Sequence, residues 1–158
     1  RGAVVKRRAS AAVSELPTHI VERELKTIKH LLGWKQSELR AGDLSGARGP
    51  GNVILLEVEC EHVTEVFCGV GEKHRRAERV ASDVAEEARR WIEAHVPVGE
   101  YLADQIVLPM AIAGGGAFRT MPLSQHTTTQ IALVERVLGA KIRTETGEDG
   151  AVTVRVAR

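Results

Sequence analysis

The chain has 158 residues and a net charge of +1, with 43% apolar and 27% charged residues. That is enough for one ordinary domain or two small ones, and the near-neutral charge excludes an overall basic field, so any contact with nucleic acid has to come from local patches. Aromatics make up only 3%, so the core is expected to be aliphatic. No apolar run is long enough to span a bilayer and there is no signal peptide. The chain opens on Arg1 rather than methionine, and it reads as a piece of a longer, cytoplasmic protein.

Val4 to Val13 reads as a strand with Lys6, Arg7 and Arg8 near its start. Pro17 is expected at the first position of a helix. Val21, Leu25, Ile28 and Leu32 recur at helical spacing, so one apolar stripe faces a core, and Gly33 supplies the C-cap. Residues 41 to 52, "AGDLSGARGPGN", are turn chemistry. Next, Ile54, Leu56, Val58 and Cys60 alternate with more polar positions. Glu61 and His62 form a turn, and Val66, Cys68 and Val70 are expected to return along the inner face of a hairpin. On that reading Cys60 and Cys68 are buried thiols rather than a disulfide, and no Cys/His spacing matches a structural zinc site.

Arg75 to Ala94 reads as an amphipathic helix with Ala77, Val80, Ala81, Val84, Ala88, Trp91 and Ile92 on one side. Residues 1 to about 94 therefore form a small α+β unit. After "HVPVGE", Glu100 to Ala113 reads as a third helix, kinked near Gln105 by Pro109, packed by Leu102, Ile106 and Leu108 and ended by Gly114 to Gly116. Ala117 to Met121 is a short strand. A helix follows from Gln130, with Ile131, Val134, Val137 and Leu138 buried. Lys141 to Glu145 and Val152 to Val156 read as a terminal hairpin.

His126 lies between Gln125 and three threonines, at or before the start of that last helix. β-branched residues open a helix poorly, because each loses side-chain freedom against the preceding turn. A helix start carries about half a positive charge and unpaired N–H donors, and it welcomes a phosphate. A neutral imidazole there could attack an α-phosphate; it could equally be a surface or capping histidine. Tyr101, Asp104 and Gln105 are spaced i, i+3 and i+4, which puts an aromatic ring, a carboxylate and an amide on one helix face. That face suits a nucleotide, but it is also an ordinary polar face. "AGGGAF" lacks the pattern of a P-loop and reads either as a phosphate cradle or as a helix end. "GEKHRRAERV" gathers Lys73, His74, Arg75, Arg76 and Arg79. It could touch RNA phosphates, or it could be a solvated helix start offset by Glu72, Glu78 and Asp83.

Two blocks taken together, "VGEYLADQIVLPMAIAGGGAF" and "PLSQHTTTQIALVERVLG", resemble the C-terminal region of the RNA 3′-terminal phosphate cyclase family. "ARGPGNVILLEVE" and "VGEKHRRAERVA" resemble upstream segments of the same family, so the likeness covers nearly the whole chain. It implies an α+β fold. Residues 1–94 would be the small inserted domain, and 95–158 the last repeat of the catalytic domain, a βαβ sheet and helix layer like the C-terminal domain of translation initiation factor 3. Earlier repeats of the same protein would complete the site.

The resemblance also implies an activity. ATP and a divalent metal, magnesium or manganese, serve the reaction. An active-site histidine takes up AMP on its imidazole and passes it to the 3′-phosphate of an RNA end. The neighbouring 2′-hydroxyl then displaces AMP to leave a 2′,3′-cyclic phosphate. His126 stands at the nucleophile position, and Tyr101, Asp104 and Gln105 at nucleotide-site positions, with Tyr101 packing on adenine. Two departures mark this chain. Family members carry more aliphatic residues where it has Thr127, Thr128 and Thr129, and a cysteine or small residue where it has Gln125. A non-catalytic relative acting in ribosome assembly, and a plain interaction module, are the alternative readings. A scaffold has no chemical need for the four site residues.

Overall fold

The computed structural model describes residues 1–44 and 46–157, and the chain divides into two compact units, Arg1–Arg90 and Trp91–Arg158. Ser45, within the turn-rich stretch, lies outside the described residues.

The first unit is a four-stranded mixed sheet with two helices on one face. Strands β1 (Val4–Ser14), β2 (Leu39–Asp43), β3 (Gly51–Cys60) and β4 (Thr64–Val70) lie in the order β2-β1-β3-β4. β1 and β2 are parallel, and the other pairs are antiparallel. Helix α1 (His19–Leu32) makes the crossover from β1 to β2, as a parallel pair requires. Helix α2 (Ala77–Ala94) follows β4. Ala9, Ala11 and Val13 of β1 and Ile54, Leu56 and Val58 of β3 are buried on the helix-facing side. α2 comes in close over Gly69: a β-carbon there would sit 2.5 Å from Val84 Cγ2 and 3.1 Å from Val80 Cγ1. Glycine at that position sets how near the helix can lie to the sheet.

Several expectations need correction. Pro17 precedes α1 rather than entering it: its carbonyl accepts from Ile20 N–H, and Thr18 holds the N-cap position. Gly33 does cap the helix, at φ 65° with its N–H bonded to Lys29 O. The turn-rich stretch is shorter than it reads, because β2 takes residues up to Asp43 and β3 starts at Gly51. On β4 the inner face is the other one. Glu65 and Phe67 are buried, whereas Val66 and Val70 are 51% and 59% exposed and Cys68 is exposed. The tight turn at Glu61 and His62 pairs Leu56 with Phe67 and Val58 with Glu65, so even positions on β3 meet odd positions on β4. A one-residue parity error puts every side chain on the wrong face. Cys60 is the buried thiol and Cys68 is not.

The second unit has helices α3 (Glu100–Ile112) and α4 (Gln125–Leu138) and strands β5 (Gly115–Thr120), β6 (Lys141–Thr146) and β7 (Val152–Ala157). The sheet order is β5-β7-β6 with antiparallel neighbours. Val98 adds a parallel bridge to Thr120, so α3 is a crossover between two parallel segments and the unit contains a βαβ element. Val152, Val154 and Val156 of β7 share one core with Phe118, with Ala103, Val107 and Ala111 of α3, and with Val134 of α4. Both helices therefore lie on that face of the sheet.

The helix faces also differ from the reading. On α3 the small residues Ala103, Val107 and Ala111 are innermost; Leu102 and Ile106 flank them and Leu108 is 39% exposed. On α4 only Val134 of the expected four is buried, Ile131 packs in part, and Val137 and Leu138 are 68% and 45% exposed. A helix on a two-layer unit turns only part of its circumference to the sheet, so an apolar residue off that arc stays at the surface.

One buried group carries a stability prediction. Glu24 is fully buried on α1. Its Oε2 accepts from Asn52 Nδ2 at 2.9 Å, while Oε1 has no hydrogen-bond partner among the described residues. Burial pushes its carboxyl above the ordinary range, and the Asn52 bond opposes this only in part. The folded chain therefore holds a proton that the unfolded chain releases. This group's contribution to stability falls as pH rises from the ordinary carboxylate range through the raised folded value. Glu24→Gln should be more stable than wild type above that window, by about 1–3 kcal/mol. The gain should shrink as the wild type becomes protonated in acid. Urea unfolding across pH checks this; a gain independent of pH would contradict it.

Candidate nucleotide site

The site residues lie on two helices of the second unit that pack against each other. Tyr101, Asp104 and Gln105 occupy the first two turns of α3, and His126 the first turn of α4. Tyr101 is 63% exposed, and Gln105 and His126 are also exposed. Asp104 is half-buried, and its Oδ1 is fully buried with no hydrogen-bond partner among the described residues. A buried carboxylate oxygen without a donor is costly unless a ligand supplies one. Pro109 lies inside α3 and brings no N–H, so the Gln105 carbonyl lacks its usual helical donor close to these polar groups.

The start of α4 explains the threonine run. The helix begins five residues earlier than its apolar pattern shows, at Gln125 rather than Gln130. Ser124 is the N-cap: its Oγ accepts from Thr127 N–H at 3.2 Å. The Ser124 and Thr127 hydroxyls lie 3.1 Å apart, and Thr127 is fully buried. Thr128 donates its hydroxyl to the carbonyls of Ser124 at 3.3 Å and Gln125 at 3.0 Å. The threonines thus bond back onto the first turn, which offsets their lower helix propensity. His126 is the second residue of a capped helix, where the leading N–H groups have no intrahelical acceptor.

Ser124 was not singled out from sequence, and Thr127 was read only as a poor helix opener and a departure from the family pattern. The signal was a serine three residues before a threonine, at N-cap spacing, ahead of an apolar run. The "AGGGAF" glycines end up elsewhere. Gly114, Gly115 and Gly116 have φ of 98°, 130° and 154°. Gly115 sits where a β-carbon would come within 2.7 Å of Val156 O, and Gly115 and Gly116 open β5. Their conformations serve the turn and the strand pairing. Among the described residues, no group of three or more His, Cys, Asp or Glu side chains could hold a metal ion.

Comparison with known proteins places this geometry in context. The family model for the RNA 3′-terminal phosphate cyclase (RTC) insert domain matches residues 1–93. An RNA 3′-terminal phosphate cyclase of Pseudomonas aeruginosa (strain LESB58) is 42% identical over 141 residues, covering 89% of this chain and 41% of that protein. The protein of that name from Pseudomonas fluorescens is 43% identical over 142 residues, 90% of this chain and 42% of its own length. The one from Salmonella typhimurium is 41% identical over 157 residues, 99% of this chain and 45% of its own length. This chain thus spans less than half the length of these curated relatives. With its first 93 residues matching the insert-domain model and this identity running on through the α3–α4 site, the chain belongs to the RNA 3′-terminal phosphate cyclase family.

Proposed function

We propose that the chain is the C-terminal part of an ATP-dependent enzyme that converts RNA 3′-phosphate ends to 2′,3′-cyclic phosphates, with His126 as the group that carries AMP. Residues 1–94 are then the inserted domain and 95–158 the last repeat of the catalytic domain. The observation that carries this reading is the pairing of α3 and α4. It puts Asp104, with its unpartnered buried oxygen, and His126, at the second position of a Ser124-capped helix, on two packed neighbours. The exposed Tyr101 ring offers a stacking surface for adenine, and Asp104 and Gln105 offer an acceptor and donors for the nucleotide's polar groups.

In this reading an imidazole nitrogen of His126 bonds to the α-phosphorus of ATP as the bond to pyrophosphate breaks. An oxygen of the RNA 3′-phosphate then takes the AMP group and the imidazole is released. The neighbouring 2′-hydroxyl loses its proton and attacks the activated 3′-phosphorus, and AMP departs. Covalent catalysis divides one difficult displacement into steps with good leaving groups. The helix start favours the negative charge of the incoming phosphates. When bound, a divalent metal would neutralise charge on the transferring phosphoryl group, with ligands supplied by the earlier repeats of the protein. Those repeats also fit the exposed apolar residues of the helix layer, Ile112 at 67% and Leu133 at 54%.

Three substitutions test the reading in a protein that joins this chain to the earlier repeats. With ATP labelled at the α-phosphate and magnesium or manganese, wild type should acquire acid-labile, alkali-stable label, and His126→Ala should acquire none. A folded wild type that takes up no label would move the chain to the non-catalytic relatives. Asp104→Asn should raise the KM for ATP by about 10-fold or more, the loss of one hydrogen bond to a charged group. Ser124→Ala should lower stability by about 1 kcal/mol and reduce labelling without abolishing it. Equal labelling in Ser124→Ala and wild type would show that the cap does not position His126.

A further inference from the structure

We propose that the first unit carries its own binding site for single-stranded RNA, in the cavity between the starts of α1 and α2. The proposal rests on the cyclase reading for the identity of the polymer, but not for the existence of the site. The cavity has a volume of about 610 Å³ and is lined by Leu16, Ile20 and Val80 together with a rim of basic residues. That size is within the range of sites that enclose small organic ligands, with room for about one or two nucleotides.

Four features point to a polyanion with flat apolar groups. First, the rim's ion pairs do not use all of its cations. Arg23 is held by Glu78, with contacts of 2.6 and 2.5 Å, and keeps that carboxyl down at about 2. Arg75 is held by Glu72 and Asp83. Lys73 and Arg76 have no ion pair among the described residues beyond the longer-range attraction of Arg76 to Glu78. Second, the first turns of α1 and α2 both line the cavity, through His19 and Ile20 and through Ala77, so two helix starts contribute positive potential at the same place. Third, His74 on the rim has φ 69°, a left-handed conformation few non-glycine residues adopt, and its side chain is exposed. An exposed imidazole beside an apolar floor is a stacking surface for a base. Fourth, Lys73, His74 and Arg76 all lie on the five-residue approach to α2, 72–76, so phosphate and base contacts come from one short segment. Small anions need cations converging on a point; an RNA strand uses cations spread along a rim around a floor for its bases.

The test uses the whole chain and a fluorescent single-stranded RNA of about 12 nucleotides ending in a 3′-hydroxyl, without ATP, with anisotropy followed against salt. Lys73→Gln with Arg76→Gln should weaken binding at least five-fold at about 0.1 M salt and lower the salt slope by roughly 1.4, two phosphates' worth for a single strand. Lys73→Arg with Arg76→Lys should restore both. Lys141→Gln with Arg143→Gln, on the exposed strand β6 of the other unit, should change neither. Unchanged affinity and slope in the Gln pair, or an equal loss in the β6 pair, would overturn the proposal. So would tight binding of a nucleoside monophosphate with none of the RNA. Because the RNA is unreactive and ATP is absent, RNA binding that depends on Lys73 and Arg76 would stand even if His126 failed to take up AMP, and the two failures stay distinguishable.

Discussion

The candidate nucleotide site depends on the burial of one face of β7. Val152, Val154 and Val156 have to be covered, and two helices on the same side cover them. With so few aromatics, the contact is made by small aliphatic side chains, Ala103, Val107 and Ala111 on α3 and Val134 on α4. Small residues let helices lie close to the strand and to each other. That closeness brings the start of α3, with Tyr101, Asp104 and Gln105, and the start of α4, with His126, onto adjacent helices. The site is a by-product of the core beneath it, and its precision is inherited from that core.

The threonine run beside His126 shows how local chemistry and tertiary packing share the work. Thr127 serves the cap and the core together, since its N–H and hydroxyl both meet Ser124 while the residue is fully buried. Thr128 ties its hydroxyl to two carbonyls of the first turn. A β-branched residue is a poor helix former in solution, but a hydroxyl that stitches the first turn and a side chain with a place in the core change the balance. In this chain hydroxyls support the turn that carries the histidine, and its backbone is held at several points.

The first unit shows polar groups committed to structure and polar groups left over. Arg7 lies over the Trp34 ring at 5.7 Å and bonds to Glu38, and Arg8 pairs with Glu57, so two of the three basic residues at the start of β1 are occupied. Arg23 and Arg75 are likewise engaged with carboxylates. Lys73 and Arg76 stand apart from this pattern. Charge balance along the sequence concealed the difference, because neighbours in sequence are not always neighbours in space.

Composition and periodicity by themselves determined that the chain is α+β, that its core is mainly aliphatic although Trp34, Trp91, Phe67 and Phe118 are also buried in it, that four helices and the terminal hairpin exist, and that Tyr101, Asp104 and Gln105 share one helix face. These follow from local rules, the helical and strand repeats and the spacing of side chains on a helix. The stripes read for α1, β3 and α2 are the buried ones, but tertiary structure alone decided which face β4, α3 and α4 bury. The parity of β4 depended on a turn two residues long, and the true inner stripe of α3 on how closely β7 lets a helix approach. β2 was hidden in a stretch rich in turn residues because its strand character comes from pairing with β1 rather than from its own sequence. The Asp104 oxygen without a partner among the described residues, and the cavity cations that form no close ion pair there, were equally illegible, since whether a polar group has a partner is a property of three-dimensional neighbours, and a linear sequence does not contain them.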